Sequence, residues 1–129
     1  MRIEHIAIWV KDLEKMKLFY QTYFNAKAGK KYLNPTKNFT SYFLSFDKGS
    51  RLELMHRPDI EKVLKQESLD FLGLTHFAIA TGSKEKVDTL TKRLRADGYK
   101  IVGEPRTTGD GYYESVVLDG EQNQIEITV

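Results

Sequence analysis

The chain repeats itself, and that repeat limits its fold more than any other feature. Arg2-Ile3-Glu4-His5-Ile6-Ala7-Ile8-Trp9-Val10 is rich in β-branched and aromatic residues and reads as a strand. Asp12 follows in an N-cap position, and Leu13, Met16, Phe19, Tyr20, Tyr23 and Phe24 recur at helical spacing. Past Asn25 the pattern returns to strands. Phe39 to Phe46 is one and Arg51 to Met55 another, with the turn Asp47-Lys48-Gly49-Ser50 between them.

The second half runs in the same order. Leu74 to Ala80 reads as a strand, Ser83 as an N-cap, Val87, Leu90 and Leu94 as a helical stripe, and Gly98 as the helix stop. Strands are then expected over Lys100 to Gly103, Tyr112 to Leu118 and Gln124 to Val129, with Asp119 to Asn123 as the last turn. Between the halves, Pro58 and Asp59 can start a helix, and Ile60, Val63 and Leu64 give it one apolar face. The expectation is an α+β chain of strand, helix and three strands, then a linker, then the same again. Module one is 1–57, the linker helix 58–70 and module two 71–129.

Four polar residues sit at matching places in the repeat. His5 and His76 lie early in the first strand of their halves, 71 residues apart. Glu53 and Glu126 lie in the last strands, 73 apart, each between two large apolar residues, as in Leu52-Glu53-Leu54 and Ile125-Glu126-Ile127. Strand alternation sends each carboxylate to the face opposite its neighbours. The same alternation puts His5 with Ile3, Ala7 and Trp9, away from Ile6, Ile8 and Val10. A lone strand histidine is more often a hydrogen-bonded structural residue, and a lone glutamate is usually solvated. Their correlated placement favours a metal site instead, because the chain has only three histidines and two hold equivalent positions. His56 has no counterpart and lies off the Glu53 face.

Two imidazoles and two carboxylates suit zinc, nickel, cobalt, manganese or ferrous iron. Such a metal could polarise a substrate oxygen and acidify an adjacent C–H, and a carboxylate could take the proton. Other chemistries are limited by composition. There is no cysteine, which excludes disulfides, thiol catalysis and zinc–thiolate sites. The formal charge of +2 comes from bases scattered among acids, so no nucleic-acid surface is expected. No run approaches the roughly 20 apolar residues of a membrane span, and the N-terminus lacks a signal pattern, so a cytoplasmic protein is expected. Gly109-Asp110-Gly111-Tyr112-Tyr113 precedes a strand rather than a helix, so it reads as a lid or plain turn and not as a phosphate loop. Arg51 and Arg57 flank the Glu53 strand as candidate anion holders, although most such charges are solvated. Trp9 is a candidate stacking platform, although an aromatic on an internal face is more often packing.

The run Ile3 to Leu13 with Phe19-Tyr20, the segment Gly73 to Ala78, and Asp119 through Ile127 resemble the vicinal oxygen chelate superfamily. It includes glyoxalase I, epimerases, extradiol dioxygenases, and fosfomycin- and bleomycin-resistance proteins. The resemblance spans essentially the whole chain. It implies two βαβββ modules in tandem whose sheets form a cup around a metal site. The order histidine, glutamate, histidine, glutamate resembles glyoxalase I (lactoylglutathione lyase). This implies that His5, Glu53, His76 and Glu126 bind a divalent metal, with nickel, cobalt or zinc first and iron or manganese next. It further implies that Glu126 is the base that moves a proton across a hemithioacetal through a metal-bound enediolate. Epimerases typically carry glutamine where Glu53 stands. Glutathione-dependent members usually carry arginine four residues after the first histidine. Here that residue is Trp9, which cannot pair with a substrate carboxylate, and Met55-His56-Arg57-Pro58 lacks their asparagine contact. A different thiol, or a different carbonyl substrate, stays open. The other readings are a metal-dependent dioxygenase and a non-enzymatic small-molecule-binding protein. The resemblance also implies a homodimer.

Overall fold

A computed structural model describes residues 1–60 and 73–129. The chain divides into two compact units, Met1–Leu64 and Lys65–Val129. Among the described residues, each has a sheet and one helix.

In the first unit, β1 (His5–Trp9) leads into α1 (Leu13–Phe24). The Asp12 side chain caps the helix by accepting the Lys15 N–H at 3.0 Å. The helix ends at Asn25 in the left-handed region, φ 52°, where a short amide side chain is tolerated. Then come β2 (Lys27–Ala28), β3 (Tyr32–Asn34), β4 (Phe39–Ser45) and β5 (Arg51–His56). The sheet order is β1-β5-β4-β2, with β3 also on β4. β1 and β5 are parallel, so the chain must cross over between them, and α1 lies in that crossover. Leu44, Leu52 and Leu54 are buried on the sheet face that α1 covers with Leu13, Met16, Phe19, Tyr20 and Phe24. Among its described residues this unit therefore has five strands and not four. β2 and β3 have two and three residues, too short for alternation to register in the sequence.

The second unit holds β6 (His76–Ala80), α2 (Lys84–Ala96), β7 (Ile101–Thr107), β8 (Tyr113–Leu118) and β9 (Gln124–Thr128), ordered β6-β9-β8-β7. Ser83 caps α2, and Gly98 at φ +88° follows its end, with Tyr99 N–H bonded back to the Leu94 carbonyl at 2.9 Å. Val87, Thr91 and Leu94 of α2 are buried with Ser115, Val117, Ile125 and Ile127 of β8 and β9.

β7 runs well past the expected end at Gly103, through Pro105. Proline normally argues against a strand, but β7 is the sheet edge and its register shifts between Gly103 and Arg106, where a missing N–H is tolerated. Of the expected linker helix over 58–70, residues 61–70 lie outside the described residues. Before them, Pro58 and Asp59 form a turn, with Ile60 N–H on the Arg57 carbonyl at 3.2 Å. Among the described residues, no helix is long and apolar enough to cross a membrane.

Candidate functional site

Strand register sets the four candidate ligands. In the first unit Glu53 lies directly across from Ala7, two residues after His5. In the second, Glu126 lies across from Ala78, two residues after His76. Each glutamate thus faces a methyl group, which leaves room for its carboxylate to lean toward the histidine. The two-residue difference between the 71 and 73 spacings is taken up between the paired strands, so the local geometry repeats.

All four side chains stand on the helix-free face of their sheet, opposite the buried leucines and isoleucines. His5 Nε2 is 3.9 Å from Glu53 Oε2, and His76 Nε2 is 3.3 Å from Glu126 Oε2. The histidine side chains are about two-fifths exposed and the glutamates mostly covered, at 39% and 43% against 14% and 18%. The structure therefore brings the sequence-predicted residues together as two histidine–glutamate pairs, one in each unit. Among the described residues, no group of three or more histidine, aspartate or glutamate side chains is close enough to hold a metal ion.

The surroundings of the pairs differ. Around His5, the Nδ1 atom is 2.6 Å from Glu4 Oε2, and the Glu4 carboxylate also accepts from Arg51 Nε at 2.7 Å. Arg51 in turn lies over the Phe43 ring at 4.0 Å, and Phe43 meets His5 edge-on at 5.2 Å. The His5 hydrogen bond, with Arg51 beside it, holds the Glu4 carboxyl below its usual range. Around Glu126, burial first and then the charge of Glu114 push its carboxyl above the usual range, against the opposing pull of His76. Glu114 is two residues along β8 from Val116, the cross-strand partner of Glu126, and is itself mostly covered, with Arg106 at 3.7 Å. The equivalent position in the first unit is Ser41.

The remaining candidates resolve into ordinary packing. His56 Nδ1 donates to the Val10 carbonyl at 3.0 Å, a structural role that fits its lack of a repeat partner. Arg51 pairs with Glu4 and Arg57 with Asp59, so each guanidinium is already engaged. Trp9 is 41% exposed, with Phe39 edge-on at 6.0 Å and Arg57 over its ring at 5.5 Å. The 109–113 segment is a turn tied by hydrogen bonds between Thr108 and Tyr112 and from Gly111 N–H to the Thr108 carbonyl.

Reading residues one at a time overlooks Glu4 and Glu114. Glu4 lies just before the strand, where alternation does not place it beside His5. Glu114 comes to Glu126 only through the β8–β9 register, and a sequence yields no such register without a known turn length.

Two donors each about 2.1 Å from one zinc-like ion, at angles between square and tetrahedral, stand about 3.0–3.4 Å apart. The His76–Glu126 separation of 3.3 Å falls in this range, and the His5–Glu53 separation of 3.9 Å needs only a small closure. The donor types fit a divalent ion of borderline softness.

Comparison with known proteins gives the same fold. The chain is 27% identical to an uncharacterized protein, YqjT, of Bacillus subtilis, over 97% of this chain and 96% of that one. It superposes on a trypanothione-dependent glyoxalase I of Leishmania major with a TM-score of 0.77 at 24% identity, covering 99% of this chain and 86% of that one. A glyoxalase family protein of Enterococcus faecalis gives 0.78 at 20% identity, covering 99% and 97%. Glyoxalase I of Zea mays gives 0.75 at 24% identity over 98% of this chain, which spans only 44% of the maize chain. The model of the Glyoxalase/Bleomycin resistance protein/Dioxygenase superfamily matches residues 2–127. With that match over nearly its whole length, and two tandem modules of this fold, the chain belongs to the glyoxalase/bleomycin resistance protein/dioxygenase superfamily.

Proposed function

We propose that this protein is a metal-dependent lyase or isomerase of glyoxalase I type, with His5, Glu53, His76 and Glu126 together holding one divalent metal. The observation that carries the reading is the duplicated pair: a histidine, and a glutamate set across from alanine, at the same place in both units. A structural histidine needs no such duplicate, as His56 illustrates. Glutamate at 53 also favours this class over those members that use three ligands or place glutamine there.

A divalent metal bound by these residues would supply Lewis acidity to a substrate oxygen and acidify the adjoining C–H. The chain supplies the proton chemistry. Glu126 takes the proton from one carbon and returns it to its neighbour, so no atom or electron is gained or lost in the isomerisation. Burial and Glu114 raise its basicity above that of a free carboxylate, the direction a proton acceptor needs. Glu53 faces Phe43 across the strand and is the ligand-only carboxylate of the set. Trp9 offers no charge to a substrate carboxylate, so the favoured substrate is a hemithioacetal, or related α-hydroxycarbonyl, whose thiol part is not held as glutathione is.

Elemental analysis of the purified protein beside a His5→Ala, His76→Ala double variant tests this. Near-stoichiometric nickel, cobalt or zinc, lost in the variant, is expected. It should be followed by turnover of methylglyoxal with one of a panel of thiols. Iron in its place would shift the reading to an oxygenase. No bound metal, and none on adding it back, would overturn the site and leave a small-molecule-binding protein.

A further inference from the structure

The two histidines are equivalent in the repeat and each has a glutamate near Nε2, but among the described residues only His5 has a carboxylate on Nδ1 as well. Glu4 precedes His5, and Thr75 stands at the matching place before His76. Arg51 is the cross-strand partner of His5, and Gln124 that of His76. The first unit thus carries a closed network with no counterpart among the described residues of the second. Glu4 Oε2 accepts a hydrogen bond from His5 Nδ1–H at 2.6 Å, and Glu4 Oε1 accepts one from Arg51 Nε–H at 2.7 Å. The Arg51 guanidinium is pinned over Phe43, whose ring also meets the His5 imidazole edge-on. The Glu4 main chain is held too, its carbonyl accepting the Arg51 N–H at 3.0 Å.

The chemistry of the contact assigns the imidazole proton. An ionised carboxylate only accepts, so Nδ1 must carry the hydrogen, and in the neutral ring the lone pair then lies on Nε2, on the side of Glu53. Ligating histidines are characteristically oriented in this way, by a partner on the nitrogen that does not bind.

We infer that Glu4, steadied by Arg51, is a positioning residue that fixes His5 as its Nδ1–H tautomer with Nε2 free to bind the metal. The inference rests on the metal-site reading above and concerns a residue outside the ligand set. Its consequence is asymmetry: His5 is pre-oriented before metal arrives, whereas His76 relies on Glu126 and the metal itself.

The test uses metal-free protein and two readouts. Nitrogen-15 NMR of the histidine rings, under conditions where they are neutral, should show His5 with its proton on Nδ1 in the parent. That preference should be lost in Glu4→Ala and weakened in Arg51→Ala. Calorimetric titration with nickel or zinc should show binding roughly 10–100-fold weaker in Glu4→Ala. Glu4→Asp should recover part of the loss, and Thr75→Ala should match the parent. A His5 proton on Nε2 in the parent, or a tautomer unchanged by Glu4→Ala, overturns the inference whether or not metal binds. Equal metal affinity in parent and Glu4→Ala overturns it as well, and leaves the metal site standing. A parent that binds no metal sinks the metal reading first and removes the role given to Glu4 with it.

Discussion

Glu126 is asked to be both ligand and base, and its surroundings set a cost on that. Desolvation and the neighbouring Glu114 charge raise its carboxyl above 4.5, so in the metal-free protein ionisation costs more than it does in water. A carboxyl whose folded-state pKa is raised stabilises the fold below its unfolded value and loses that contribution as pH climbs through the folded value. Glu126→Gln should therefore raise the thermal midpoint of metal-free protein at neutral pH, and the advantage should shrink as the pH falls through the raised folded value and be gone well below 4.5, where Glu126 is protonated in both states. The same variant should turn over about 10²–10⁴-fold more slowly, the usual worth of a general base. Unchanged turnover would remove the base, and an unchanged or lowered midpoint would remove the strain. At this scale the sequence exposed the four candidate ligands through repetition, and hid Glu4 and Glu114. Glu114 reaches Glu126 only through strand register, and Glu4 reaches its neighbour His5 from just before the strand, where alternation does not apply.

Elements are held by a few polar contacts that can be tested one by one. Asp119 is almost fully buried at the β8–β9 turn and accepts from the N–H groups of Glu121 and Asn123 at 2.8 and 2.9 Å and from the Asn123 side chain at 2.9 Å. It shapes the turn that delivers β9, and so Glu126. Asp119→Ala strands those donors and should cost about 2–4 kcal/mol by urea unfolding. A loss below about 0.5 kcal/mol, the level of an ordinary surface change, would show that water replaces the carboxylate. At the other sheet, Glu14 of α1 gathers Lys17, Lys31 of the β2–β3 connection and Tyr42 of β4. Hydrogen bonds from the two lysines hold its carboxyl at about 2, against 4.5 unperturbed. This contribution is complete above 4.5 and disappears as the pH falls through about 2. Half-exposed pairs are screened, so Glu14→Gln should cost under about 1 kcal/mol at neutral pH. Parent and variant should converge in strong acid and in high salt. The helices were legible because caps and apolar spacing are local. β2 and β3 were too short to register, and β7 was cut short by Pro105, which an edge strand tolerates and a central one would not.

The repeat that organised the sequence also makes a testable statement about the whole molecule. The repeat showed strand, helix and strands twice over, and the superfamily fold was implied by the resemblance of the Ile3–Leu13, Gly73–Ala78 and Asp119–Ile127 segments to its modules. What a repeat does not say is whether its two polar pairs act as one site or two. Four ligands on one metal give one ion per chain, and each histidine alone is then indispensable. Two independent pairs give up to two weakly held ions per chain, and losing one histidine leaves the other site intact. A metal that binds only the folded state stabilises it by about 4 kcal/mol at a thousandfold its Kd, so the shift in thermal midpoint reports the site directly. His5→Ala and His76→Ala should each abolish nearly all of that shift, and the double variant should lose no more than either, a strong departure from additivity. Measured alongside light scattering, in which a homodimer should run at about twice the 14.9 kDa chain mass, the same titration should give one metal per chain, or two per dimer. Single variants that each keep half the stoichiometry, with losses that add in the double, would mean that the duplicated pairs are separate sites and would overturn the four-ligand centre. A monomer binding one metal would keep the centre and remove the dimer.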